Sequence, residues 1–306
     1  MAFEVALDTM IVFFLVLAVG YVAAKFGIIA EKTMPNLAEI VTKVLLPAQI
    51  FFATYVGTTR QMIIDNLSMI AVSAVFYLAV GTLAFLISKA MRLPHDKDRV
   101  FMLCFVFGNT GFVGIPLLST MLPDSGLLYL TLFSIVDQAL FWTFGIWLAT
   151  ARGKDAHFHA KSILSPNLVA MALVFAFVLL DIPLPRLVSD ALETVKNATS
   201  AVCMMYLGAM LFFSNWRGVL KSPELYVGIA AKMVAFPVAV SFALSALGFP
   251  REMVAATTMI ASLPVMTVVP MVAKHHGTEG EYATGITGVT LVACVATIPL
   301  VAFFTQ

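Results

Sequence analysis

Two of the ten apolar segments in this chain are interrupted near their middle. One interruption is GNTGFVGIPL, Gly108 to Leu117, and the other is SLPVMTVVP, Ser262 to Pro270. Glycine, asparagine and proline break a helix, yet at bilayer depth no water is present to satisfy a free backbone. Irregular backbone there is tolerated only where it is buried in protein or lines a cavity. A matched pair of interrupted segments in two halves points to the binding site of a transporter. The two breaks are therefore expected to share one interior crossing.

The ten segments run approximately over 7–25, 35–56, 67–89, 99–121, 126–149, 166–182, 189–213, 223–247, 251–274 and 281–304. Each is near the roughly 20 residues that a membrane helix needs. Residues are 61% hydrophobic and 11% charged, against about 25% charged in a soluble domain. A polytopic, all-helical membrane protein follows, with the lipid bilayer as its solvent. The formal net charge of +1 argues against a nucleic-acid partner. The first segment runs too long for a signal peptide and is expected to remain as the first span. Cys104, Cys203 and Cys294 lie inside apolar runs without metal spacing and read as buried soft side chains.

Loop charge sets the orientation. Lys25, Lys32, Lys89, Arg92, Lys97, Arg99, Arg152, Lys154, Lys161, Arg217, Lys221 and Lys274 follow the odd-numbered spans. Only Arg60, Arg186 and Arg251 lie in the loops of the other side. The excess marks the cytoplasmic face and puts both termini outside an inner (plasma) membrane.

The order of features repeats. RLPHDKDRVFMLCFVFGNTGFVGIP enters span 4 and GFPREMVAATTMIASLPVMTVVP enters span 9. Each has a loop proline, a charged cluster, an apolar run and a break ending in proline. Five spans per half is an odd number, so the second half is inverted relative to the first. The expected units are residues 1–155 and 156–306, two inverted five-helix repeats with helices 4 and 9 broken.

At the first break Gly108, Gly111 and Gly114 permit close approach, and Pro116 interrupts the hydrogen-bond ladder. Asn109 and Thr110 offer hydrogen bonds to whatever fills the gap. The half-helix that follows presents N–H groups and a positive dipole end, which favour an anion. Helix packing alone also accounts for Gly111 and Gly114. The second break offers Ser262, Pro264, Met266, Thr267 and Pro270, and a simple proline kink is its plainer explanation. Asp137, followed by Gln138, is the charge most centrally placed in any span and is a candidate to bind a coupling ion or tune the site. Lys43 and Lys232 are candidate anion-attracting residues. Snorkelling is the plainer account of Lys232, and pairing with Glu39 that of Lys43. The pairs His157/His159 and His275/His276 have no metal-site spacing. HExxH, GxSxG and a phosphate-binding glycine loop are absent, so nothing supports an enzyme or an ATP-driven pump.

GNTGFVGIPLL, the short PDSG loop and SIVDQALFWTFGIWL resemble the auxin efflux carrier family, as do SLPVMTVVPMVAKHHGTEGEYAT, LLPAQIF and ATSAVCMMYLGAML. The short central loop is similar to that of bacterial malonate and malate permease-like members. The resemblance implies ten helices in a bile acid symporter-like fold, with a scaffold, a transport domain and broken helices 4 and 9 crossing at the site. It also implies carboxylate substrates, elevator-like motion, frequent homodimers and no bound cofactor beyond a coupling Na+ or H+. By that analogy Asn109, Thr110 and Gly111 meet Pro264 and its neighbours at the crossover. Asp137 and Lys43 depart from the usual family pattern. The expected activity is secondary transport of small organic anions, and the alternative is a ligand-gated channel or membrane receptor using the same crossover.

Overall fold

The computed structural model describes residues 2–94, 96–122, 125–153, 166–213 and 216–304. Lys154, His157, His159, Lys161 and the 155/156 boundary between the expected halves lie outside the described residues, as does part of the PDSG loop. The side chain of Pro116 also lies outside them.

Among the described residues the secondary structure is helical, apart from one isolated β-bridge between Gly108 and Val265. We name the main helices α1 (Ala2–Lys25), α2 (Glu31–Gly57), α3 (Ser68–Ala90), α4a (Lys97–Val106), α4b (Thr110–Met121), α5 (Gly126–Ala149), α6 (Pro166–Leu179), α7 (Arg186–Phe213), α8 (Pro223–Ala246), α9a (Arg251–Ser262), α9b (Val269–His275) and α10 (Gly280–Phe304). Among the described residues, six are long and apolar enough to cross a membrane: α2, α3, α5, α7, α8 and α10. The two interrupted segments fold as the sequence predicts, each as two helices joined by unwound backbone.

Proline shapes the long helices as well. Turns of π-helix occupy Val41–Leu45, Thr110–Gly114 and Ile229–Ala235, each ending two residues before Pro47, Pro116 or Pro237. A proline ring displaces the carbonyl one turn earlier, and a widened turn accommodates it without ending the helix. A fourth π turn, Phe141–Gly145, has no such proline.

The helices form two groups, which meet where α1 packs against α10. α1 packs along α7, and α2 packs against α6 and α7. The α1–α7 seam is backbone on backbone: a Cβ at Gly20 would strike Met205, and one at Gly208 would strike the Leu17 carbonyl. In the second group α3 contacts α4a and α5, α8 contacts α9a, and α10 contacts α9b, α4a and α8. Large apolar side chains stand exposed along the outer faces, among them Val12, Leu15 and Val19 on α1 and Val75 and Leu78 on α3. Such faces suit a lipid solvent, which has no need of a polar coat. Behind the first break lies an aromatic cluster in which Phe107 packs against Tyr77 and Phe141, with ring centroids 5.7 and 5.2 Å apart.

Candidate functional site

The two breaks satisfy each other. The Asn109 N–H donates to the Pro264 carbonyl at 2.8 Å, and the Met266 N–H donates to the Phe107 carbonyl at 3.0 Å. These bonds flank the Gly108–Val265 bridge, so the unwound strands pair as a minimal antiparallel ribbon. The Val265 N–H donates to Thr290 Oγ1 of α10 at 3.2 Å. Backbone that water cannot reach is thereby bonded across the crossing, as an apolar medium demands.

Asn109 caps the second half of the broken helix: its Oδ1 accepts from the Phe112 N–H at 3.1 Å. With Oδ1 so engaged, the amide nitrogen must face the other way. Asn109 is 1% exposed, and its Nδ2 has no hydrogen-bond partner. Two more buried atoms share that condition here, Gln49 Oε1 on α2 and Thr267 Oγ1 in the second break. Buried polar atoms in folded proteins almost always find partners. Asn109 and Gln49 border one enclosed place, where their unpartnered polar atoms are left to meet a guest.

That place is a cavity of about 60 Å³. Asn109, Thr110, Gly111, Met266 and Gln138 line it, as do Gln49 and Thr54 of α2 and Met171 of α6. It lies where the two helix groups face each other. Its wall is mainly apolar, with a few amide and hydroxyl groups, the usual make-up of a small-molecule site.

Asp137 sits behind the wall. It is fully buried and accepts three hydrogen bonds: from the Tyr77 hydroxyl, from Gln138 Nε2 at 3.0 Å and from Thr110 Oγ1 at 3.4 Å. Gln138 in turn accepts from Trp142 Nε1 at 3.2 Å. The carboxylate thus touches the first break through Thr110. The Lys232 ammonium reaches the second break, where it donates to the Leu263 carbonyl.

The structure gathers most of the expected residues at this crossing. Asn109, Thr110, Gly111, Met266 and Gln138 line the cavity, while Asp137 bonds Thr110, Pro264 bonds Asn109, Lys232 bonds Leu263, and Thr267 lies next in the chain to Met266. Pro116 lies at the start of the helix after the π turn. The Ser262 hydroxyl is spent locally on the Met259 carbonyl at 2.8 Å. Lys43 lies apart, exposed and paired with Glu39 at 2.8 Å. Tyr77 and Gln49 are the additions. Gln49 stands out in the sequence as an amide within an apolar span, whereas nothing distinguishes Tyr77 there.

A family profile described as "Membrane transport protein" matches residues 5–302. An uncharacterised transporter of Methanocaldococcus jannaschii is 26% identical over 214 residues, 68% of this chain and 69% of its own. One from Methanothermobacter thermautotrophicus is 20% identical over 305 residues, 98% of both chains. A third, from Schizosaccharomyces pombe, is 28% identical over 146 residues, 41% of this chain and 32% of its own.

Proposed function

Since the chain belongs to the membrane transport protein family of auxin efflux carriers, we propose that it is a secondary transporter of small organic anions, mono- or dicarboxylates such as malonate or malate. The observation that carries this reading is the unpartnered Asn109 Nδ2 at the wall of a cavity bounded by both breaks. An amide donor orients a carboxylate without the strong attraction of a fixed charge, so the anion is bound and released. Gln49, Thr54 and Thr110 supply further polar contacts, and apolar side chains exclude water around them.

The two helix groups support an elevator mechanism. α1, α2, α6 and α7 form the scaffold, and the group holding α4, α5, α9 and α10 carries the crossing past it. The site's position between the groups lets that motion expose it to one side and then the other. The ten helices are two inverted repeats of five, a reading favoured by the repeated order of features and by the mutual bonding of the breaks. Cytoplasmic placement of the basic loops puts both termini outside. Asp137 is the coupling residue, because its hydrogen bond from Thr110 makes its charge felt at the break.

Uptake into proteoliposomes with a panel of labelled carboxylates tests the reading. Saturable uptake and counterflow of at least one carboxylate are expected. Uptake of a neutral or cationic solute alone would sink the anion assignment, and single-channel currents would show a pore instead of a carrier.

A further inference from the structure

Leu263 is the C-cap residue of α9a, and its carbonyl stands just past the helix end, deep inside the protein. A helix C-terminus carries a partial negative charge, and a carbonyl in an apolar medium needs a donor. Metal cations commonly fill such places through oxygen ligands. Here the donor is the ammonium of Lys232, a residue only 3% exposed. Its position follows from the π-helical stretch Ile229–Ala235 of α8, ahead of Pro237.

The opposite break packs close to it. A Cβ built on Gly108 would stand 3.5 Å from Lys232 Nζ and 3.3 Å from Leu263 Cβ. The ammonium is thus held between the two breaks, with Gly108 on one side and Leu263 on the other. Asp137, bonded to Thr110 of the first break, is the carboxylate of the same crossing. With one buried carboxylate and one buried ammonium, the crossing is formally neutral as built. Adding a sodium ion would leave an uncompensated charge in an apolar interior, at high cost.

We propose that Lys232 is a tethered cation: its ammonium occupies the carbonyl end of α9a in place of a free alkali cation, so the crossing takes no sodium. This rests on the coupling part of the function proposed above and narrows it to the proton. The inference also assigns a task to each neighbour. Leu263 supplies the oxygen and Asp137 the balancing charge.

Thermal unfolding of the purified protein tests it without any substrate, using sodium, potassium and choline chloride at equal ionic strength. The wild type should melt at one temperature in all three salts. Lys232→Ala removes the ammonium and opens a gap at the Leu263 carbonyl. It should melt lower in choline and be restored saturably by sodium or by methylammonium. Lys232→Met fills the gap without charge, so it should melt lower with no such restoration. A merely structural lysine would lower the melting temperature of both variants equally in every salt. Sodium-specific stabilisation of the wild type overturns the proposal, as does salt-indifferent melting of Lys232→Ala. Should Lys232→Ala fold only when prepared in sodium, that requirement is the predicted rescue. Should it fold in no salt, the tethered-cation role is overturned, since the free ion then fails to replace the amine. Failure of carboxylate uptake, by contrast, would leave the salt result standing.

Discussion

Asn109 does two jobs with two atoms, and substitutions can separate them. Its Oδ1 caps the helix after the first break by accepting from the Phe112 N–H at 3.1 Å, while its Nδ2 is left without a partner. Asn109→Ser keeps an oxygen able to cap and removes the amide donor. Asn109→Ala removes both. Loss of the cap costs about 1 kcal/mol of stability, so the alanine variant should melt below the serine variant. Loss of a hydrogen bond to a charged carboxylate costs about 1.5–3 kcal/mol. That weakens substrate binding by about 10- to 150-fold, in both variants alike. Melting curves of the purified proteins read the first effect, and concentration-dependent uptake into proteoliposomes reads the second. A serine variant that transports with wild-type apparent affinity would refute the assignment of Nδ2 as the anion donor. So would an affinity loss found only in the alanine variant.

Three further outcomes are expected. Asp137→Asn keeps the shape of a fully buried side chain but removes its charge, and it should flatten the dependence of uptake on external pH; an unchanged pH profile makes Asp137 structural. Gly208→Ala pushes a methyl group into the Leu17 carbonyl across the α1–α7 seam, costing about 1–3 kcal/mol. Gly81→Ala on α3 meets nothing within 4 Å, so its melting temperature should hold or rise, and equal melting of the two variants would contradict the packing of α1 on α7. Cys104, Cys203 and Cys294 are all buried, so a maleimide should label none of them until the protein is unfolded, and rapid labelling of any one in the native state would count against its position.

The outline of this fold is legible in the chain because a membrane solvent writes it in long apolar runs. The segment expected over 126–149 is the helix Gly126–Ala149, and the two glycine- and proline-bearing runs do break. Less legible is how the breaks are joined. Pairing of Gly108 with Val265 is a backbone event between residues far apart in sequence, and neither side chain announces it. Tyr77 carries no signal in the sequence, because an aromatic residue inside an apolar span is ordinary. Only the approach of α3 to α5 turns its hydroxyl onto Asp137. Lys232 was legible as a charge in a span, but snorkelling toward the headgroups and turning inward to Leu263 demand the same sequence. The π turn ahead of Pro237 and the bond to the Leu263 carbonyl mark the second course.

The two backbone bonds that join the breaks also bear on how the molecule is made. Asn109 must wait for Pro264, and Phe107 for Met266, which reach the membrane only after more than half the chain has been synthesised in between. Until then the first half carries unsatisfied amides and carbonyls into lipid, a state the bilayer penalises. Neither break is satisfied at bilayer depth without the other, so the two halves of the chain depend on one another for their folding.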